Sequence, residues 1–149
     1  MDLNQLQQIE VRLKQINTSR IQKLIAEELQ KNAAEIVELV RNRWLTGKRP
    51  DGSEIGTYKD FGYELLKRKQ NPLAGGKVDL TLDGGLNKGL VVNYLNGSIS
   101  NIFSTDEKAV TIAERYGLDV YGLTPKETDL VLERAKENVF VKLYNQVFK

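Results

Sequence analysis

Apolar residues recur at Leu3, Leu6, Ile9, Leu13 and Ile16, the spacing of one helix face, before Asn17, Thr18 and Ser19 offer capping side chains for a restart. A second stripe follows at Ile21, Ile25, Leu29, Ala33, Ile36, Val40 and Trp44, which predicts one long amphipathic helix stopping near Gly47. The two helices form either an antiparallel pair or a bent rod. From Gly47 to Val78 the pattern dissolves into glycines and prolines around one short helical run, Lys59 to Lys69, whose apolar residues include Phe61, Leu65 and Leu66. A loop-rich stretch of this length inside a domain is usually functional or mobile.

Alternation then replaces the helical period. Leu90 to Leu95 and Ser98 to Phe103 flank Asn96-Gly97, a dipeptide that tolerates the positive φ angles of a type I′ turn, so a β-hairpin is predicted. The two-residue loop pairs Leu95 with Ser98 and Tyr94 with Ile99, placing Leu90, Val92, Tyr94, Ile99 and Phe103 on one face, with Asn101 as an interruption. Asp106 can cap a helix through Ala109, Val110 and Ile112 to Tyr116, where Gly117 supplies a left-handed stop. Thr124, Pro125 and Glu127 form a capping box with proline at the first helical position, a strong start for a last helix reaching almost to Lys149. That helix carries two stripes, Val131, Ala135, Val139 and Leu143 on one and Leu132, Phe140, Tyr144 and Phe148 on the other, as a helix buried on two sides or serving an interface does.

These elements predict an α+β fold in which long N-terminal helices and a C-terminal helix pack on a small antiparallel sheet containing the hairpin. A chain of 149 residues makes a single domain 1–149, with a helical arm at 1–46, the loop-rich region at 47–78, and the sheet with the C-terminal helices at 79–149. With 40% hydrophobic and 28% charged residues it reads as globular. No stretch approaches the roughly 20 apolar residues of a membrane helix, and the polar start lacks signal-peptide regions, so the chain is expected to stay where it is made, with no membrane partner.

The absence of both cysteine and histidine removes thiol nucleophiles, disulfides, imidazole-based triads and Cys/His zinc sites. Carboxylate, Lys, Arg or Tyr chemistry remains. Pairs such as Asp79 and Asp83 have nothing that positions them as acid and base, and Gly84-Gly85 lacks both the GxGxxG pattern and the lysine with its Ser/Thr of a P-loop. The expectation is therefore no catalytic, cofactor or metal site, and no enzyme.

Three segments stand in a recognisable order: Pro50-Asp51-Gly52 after the helical half, Leu80-Thr81 through Leu86 before the hairpin, and Tyr116-Gly117 followed by Tyr121-Gly122-Leu123-Thr124. In this arrangement, over roughly residues 20–149, the chain resembles the phage virion-morphogenesis and tail-completion proteins of the head-tail junction or neck. Family turns often carry a tryptophan three residues after Pro-Asp-Gly. Here Ile55 or Tyr58 takes the place of that anchor, and Gly84-Gly85 stands where one small residue is usual.

The resemblance implies a structural virion protein at the head-tail junction or tail end, assembled as a homo-oligomeric ring in the host cytoplasm. Its partners would be copies of itself and neighbouring head or tail proteins, with packaged DNA as a further contact. Candidate interface residues are Trp44, which also fits a core role, Ile55, Tyr58, the basic run Lys67, Arg68 and Lys69, and Phe140, Tyr144 and Phe148. Around the loop region Arg41, Arg43, Lys48, Arg49, Lys59, Lys67, Arg68 and Lys69 outnumber Asp51, Glu54, Asp60 and Glu64. This excess keeps open an alternative, an intracellular nucleic-acid-binding module using the basic loop region. A third reading, a carboxylate-dependent hydrolase, requires a divalent metal.

Overall fold

The computed structural model describes residues 2–81 and 84–149. Its elements are α1 (Leu3–Lys14), α2 (Thr18–Lys31), α3 (Ala33–Leu45), α4 (Phe61–Gln70), α5 (Gly85–Lys88), β1 (Leu90–Leu95), β2 (Ser98–Ser104), α6 (Ala109–Tyr116) and α7 (Pro125–Phe148), with short 3-10 turns at Pro72–Ala74 and Leu118–Tyr121. The fold is α+β, and its antiparallel sheet is the hairpin itself. Leu82 and Asp83 of the segment ending at Leu86 lie outside the described residues.

The expected long second helix is two helices. Asn32, at φ −96° and ψ 13°, departs from helical dihedrals between α2 and α3, and its Nδ2 donates at 3.0 Å to the Glu28 carbonyl that its own N–H also reaches at 3.2 Å. Asparagine competes for backbone hydrogen bonds in this way, which a count of apolar spacing does not register. Leu29, Ile36, Val40 and Trp44 are nevertheless all fully buried, so both halves present the predicted stripe to one core. That core also takes in Leu90 and Ile102 of the hairpin, Val120 and Tyr121 of the second 3-10 turn, and Val131 and Ala135 of α7. Helix α2 lies against α7 and both strands, and α3 against β1.

The hairpin closes as its turn chemistry requires, with Asn96 at φ 51° and Gly97 at φ 75°. Leu95 pairs with Ser98 and Tyr94 with Ile99, but Asn93 then pairs with Asn101, leaving Ser100 as an extra residue in β2. This bulge reverses the facing of the rest of the strand. Ile102 and Ser104 are buried instead of Phe103, and Asn101 is exposed, so the expected polar interruption of the apolar face does not occur.

Helix α1 has no buried residue. It leans on the end of α7, where the Arg12 guanidinium donates to the Gln146 and Val147 carbonyls at 3.3 and 3.2 Å, a favourable place for a cation. The predicted start of α7 is present in full: Thr124 Oγ1 accepts from the Glu127 N–H at 3.0 Å, and the Glu127 carboxylate accepts from the Thr124 N–H at 2.7 Å. At α6 the Asp106 carboxylate accepts from the Lys108 N–H at 2.9 Å, and Gly117 ends the helix at φ 90° with an extended ψ of 153° instead of the left-handed turn expected.

Candidate functional site

The loop-rich region is tied down at several points. Asp51 accepts from the Ser53 N–H at 2.9 Å inside the Pro-Asp-Gly turn, and Arg49 just before it reaches Asp119 Oδ2 at 3.0 Å. The first and third of the three ordered segments meet in space, since a Cβ on Gly122 would lie 3.7 Å from the Pro50 ring. Lys48 and Glu54, and Thr57 and Lys77, form isolated antiparallel bridges. Gly47 requires its φ of 68°, and a Cβ there would sit 3.2 Å from the Val78 carbonyl.

Two candidate interface residues belong to the core. Trp44 is fully buried, donates from Nε1 to the Val120 carbonyl at 2.8 Å and meets Tyr121 edge-on at 5.6 Å. Ile55 is buried in the same cluster. Neither has surface to offer a partner, because the stripe that brings Trp44 to the end of α3 points inward.

Lys67 is a sharper correction. It is 3% exposed, and its Nζ lies 2.8 Å from Oδ1 of the equally buried Asp79. Asn71 Nδ2 donates to the other Asp79 oxygen at 2.9 Å, and the Tyr58 hydroxyl and the Thr81 N–H lie 3.1 and 3.3 Å from the first. Burial works against the Asp79 carboxylate, but the bonds from Lys67, Asn71 and Thr81 and the lysine charge outweigh it and hold its pKa below the usual range. Burial first, and then the Asp79 charge, push the Tyr58 phenol up, so it remains a neutral donor. Of the remaining basic run, Arg68 pairs with Glu64 at 2.8 Å and Lys69 stands in solvent.

Helix α4 is thus amphipathic in the reverse sense. Its one buried residue is a lysine, while Phe61 is 70% exposed and Leu65 and Leu66 nearly half exposed. Leu73, in the following 3-10 turn, adds a further exposed apolar side chain. The sequence displays these apolar residues, but periodicity alone assigns them to the interior; only the Asp79 acceptor explains why the helix is turned around.

The second exposed apolar face is on α7. Val131, Ala135, Val139 and Val147 are buried, whereas Phe140 is 70% exposed and Tyr144 and Phe148 are each half exposed. The three rings follow one another up the helix at centroid distances of 6.4 and 5.0 Å. Fixed aromatic side chains on a rigid helix are the residue types that dominate protein interfaces.

A pocket of about 370 Å³ opens between α4 and α6, lined by Tyr58, Tyr63, Val78, Asp79, Ile112 and Tyr116 among others. Its buried carboxylate is already committed to the four donors named above, which leaves it unsuited to act as a base. Among the described residues no three acidic side chains converge where a metal ion could sit. Five of the eight basic residues around the loop are in ion pairs, Arg41 with Glu38, Arg43 with Glu127, Arg49 with Asp119, and Lys67 and Arg68 as described. The positive excess around the loop is therefore largely offset by these ion pairs.

No family model, curated protein or solved structure matches this chain. No helix among the described residues is long and apolar enough to cross a membrane.

Proposed function

We propose that this chain is a structural subunit of a phage particle, placed at the head-tail junction or tail end and assembled from several copies in a homo-oligomeric ring, as its resemblance to virion-morphogenesis and tail-completion proteins implies. The observation that carries this reading is the pair of exposed apolar helix faces, Phe61, Leu65 and Leu66 on α4 and Phe140, Tyr144 and Phe148 on α7. Large side chains at adjoining helix positions gain most of their stabilisation only when a second surface excludes water from them, at about 25 cal/mol per Å². The capped, hydrogen-bonded turns at Arg49–Ser53 and Thr124–Glu127 serve this role as rigid spacers.

Copies of the chain are the first partners on this reading, and neighbouring head or tail proteins the next. The ion pairing of the basic loop residues weighs against the nucleic-acid-binding alternative, which needs free cations along one surface. The deciding experiment is sedimentation of the purified protein across a concentration series, with mass spectrometry of purified particles from cells that make it. Oligomers together with incorporation into particles support the proposal. A chain monomeric at high concentration and missing from particles ends it.

A further inference from the structure

We infer that α4 of one copy docks antiparallel on the C-terminal half of α7 of the next copy, a contact between unlike faces. The inference rests on the self-assembly proposed above and names the surfaces that meet. Phe61, Leu65 and Lys69 follow one another at four-residue steps, so they form a single row along α4, about 6 Å apart, reading apolar, apolar, basic. On α7, Glu137, Phe140 and Tyr144 form a row at steps of three and four, reading acidic, aromatic, aromatic.

The two rows are close in length, about 12 Å on α4 and about 10.5 Å on α7, and run in opposite order. Laid antiparallel, Lys69 faces Glu137, Leu65 faces Phe140 and Phe61 faces Tyr144. All six side chains are exposed, and neither Lys69 nor Glu137 has an ion-pair partner among the described residues. Charge complementarity selects a second copy as the occupant. Two α7 rows face to face would bring Glu137 against aromatic rings or against its own kind, whereas α4 supplies the cation in register. Because the faces differ, the contact is heterologous: every copy uses one of each, and the chain of contacts closes into a ring when the rotation permits.

The test uses two full-length variants, Leu65→Asp, which spoils the α4 row, and Phe140→Asp, which spoils the α7 row. Each is expected to be a folded monomer by circular dichroism and sedimentation where the wild type is oligomeric, and a mixture of the two is expected to give a one-to-one dimer that grows no further. If the wild type oligomerises but the mixture stays monomeric, or Leu65→Asp still assembles, the pairing of α4 with α7 is overturned while the structural role stands. A monomeric wild type overturns both. Charge reversal gives an independent readout that leaves the apolar rows intact: Lys69→Glu and Glu137→Lys should each weaken assembly about tenfold, and the double reversal should restore it. Failure of the double variant to recover would count against the register.

Discussion

The ammonium of Lys67 lies 2.8 Å from Asp79 Oδ1 with both side chains withdrawn from water, and this pair fixes α4 to the segment that leads into the hairpin. Removing one partner leaves an uncompensated buried charge. Lys67→Ala or Asp79→Ala is therefore expected to lower stability by about 3–5 kcal/mol, and replacing both with apolar residues of similar volume to cost much less. Chemical denaturation midpoints of the three variants measure this, and equal losses in all three would contradict it.

Acid should act through the same carboxylate. The Asp79 pKa is lower in the folded chain than its ordinary value of about 3.9, so the unfolded chain takes up its proton first as pH falls. The contribution is fully present at neutral pH, begins to decline near that ordinary value, and is lost once pH passes below the folded pKa. Asp79→Asn should flatten the fall of the unfolding midpoint below about pH 4. An unaltered acid limb would show that the carboxylate is not held as described.

Trp44 is the chain's single tryptophan and is fully buried, so its fluorescence reports on the core alone. The native emission is expected to be blue-shifted, to move red on unfolding, and to stay constant when dilution separates copies. A shift on dilution would place Trp44 at an interface. Trp44→Phe loses the bond to the Val120 carbonyl and part of the ring volume, with an expected cost of about 1–3 kcal/mol.

At the hairpin tip, Gly97 combines a φ of 75° with a close approach to α2, where an added Cβ would lie 3.0 Å from the Gln22 carbonyl oxygen. Gly97→Ala should cost about 1–3 kcal/mol, because strain in the turn adds to a contact with backbone that cannot swing aside. Thermal unfolding of the variant would detect a loss of this size; an unchanged midpoint would mean that the turn sits off the helix.

What could be read from the residue string was what nearest neighbours decide. Asn96-Gly97 specifies its turn, and Thr124, Pro125 and Glu127 specify the start of α7, because donors and acceptors three residues apart or fewer satisfy each other. The aromatic stripe of α7 was legible for a similar reason: a second apolar row on one helix exceeds what one core can cover. The bulge at Ser100 was hidden because a turn dictates only the first pairs of a ladder. The orientation of α4 was hidden because it depends on Asp79, twelve residues beyond Lys67 and on a different segment. Asn32 was hidden by its position inside an unbroken apolar period, where its own carboxamide chemistry outweighed the pattern around it.

Since the inner side of α4 is secured by electrostatics and its hydrocarbon side chains play little part in holding the domain together, the outer surface of that helix is free to vary. Substitutions at Phe61 or Leu65 can retune whom the protein meets without disturbing how it folds. Such a separation lets a small building block follow changes in its neighbours one residue at a time.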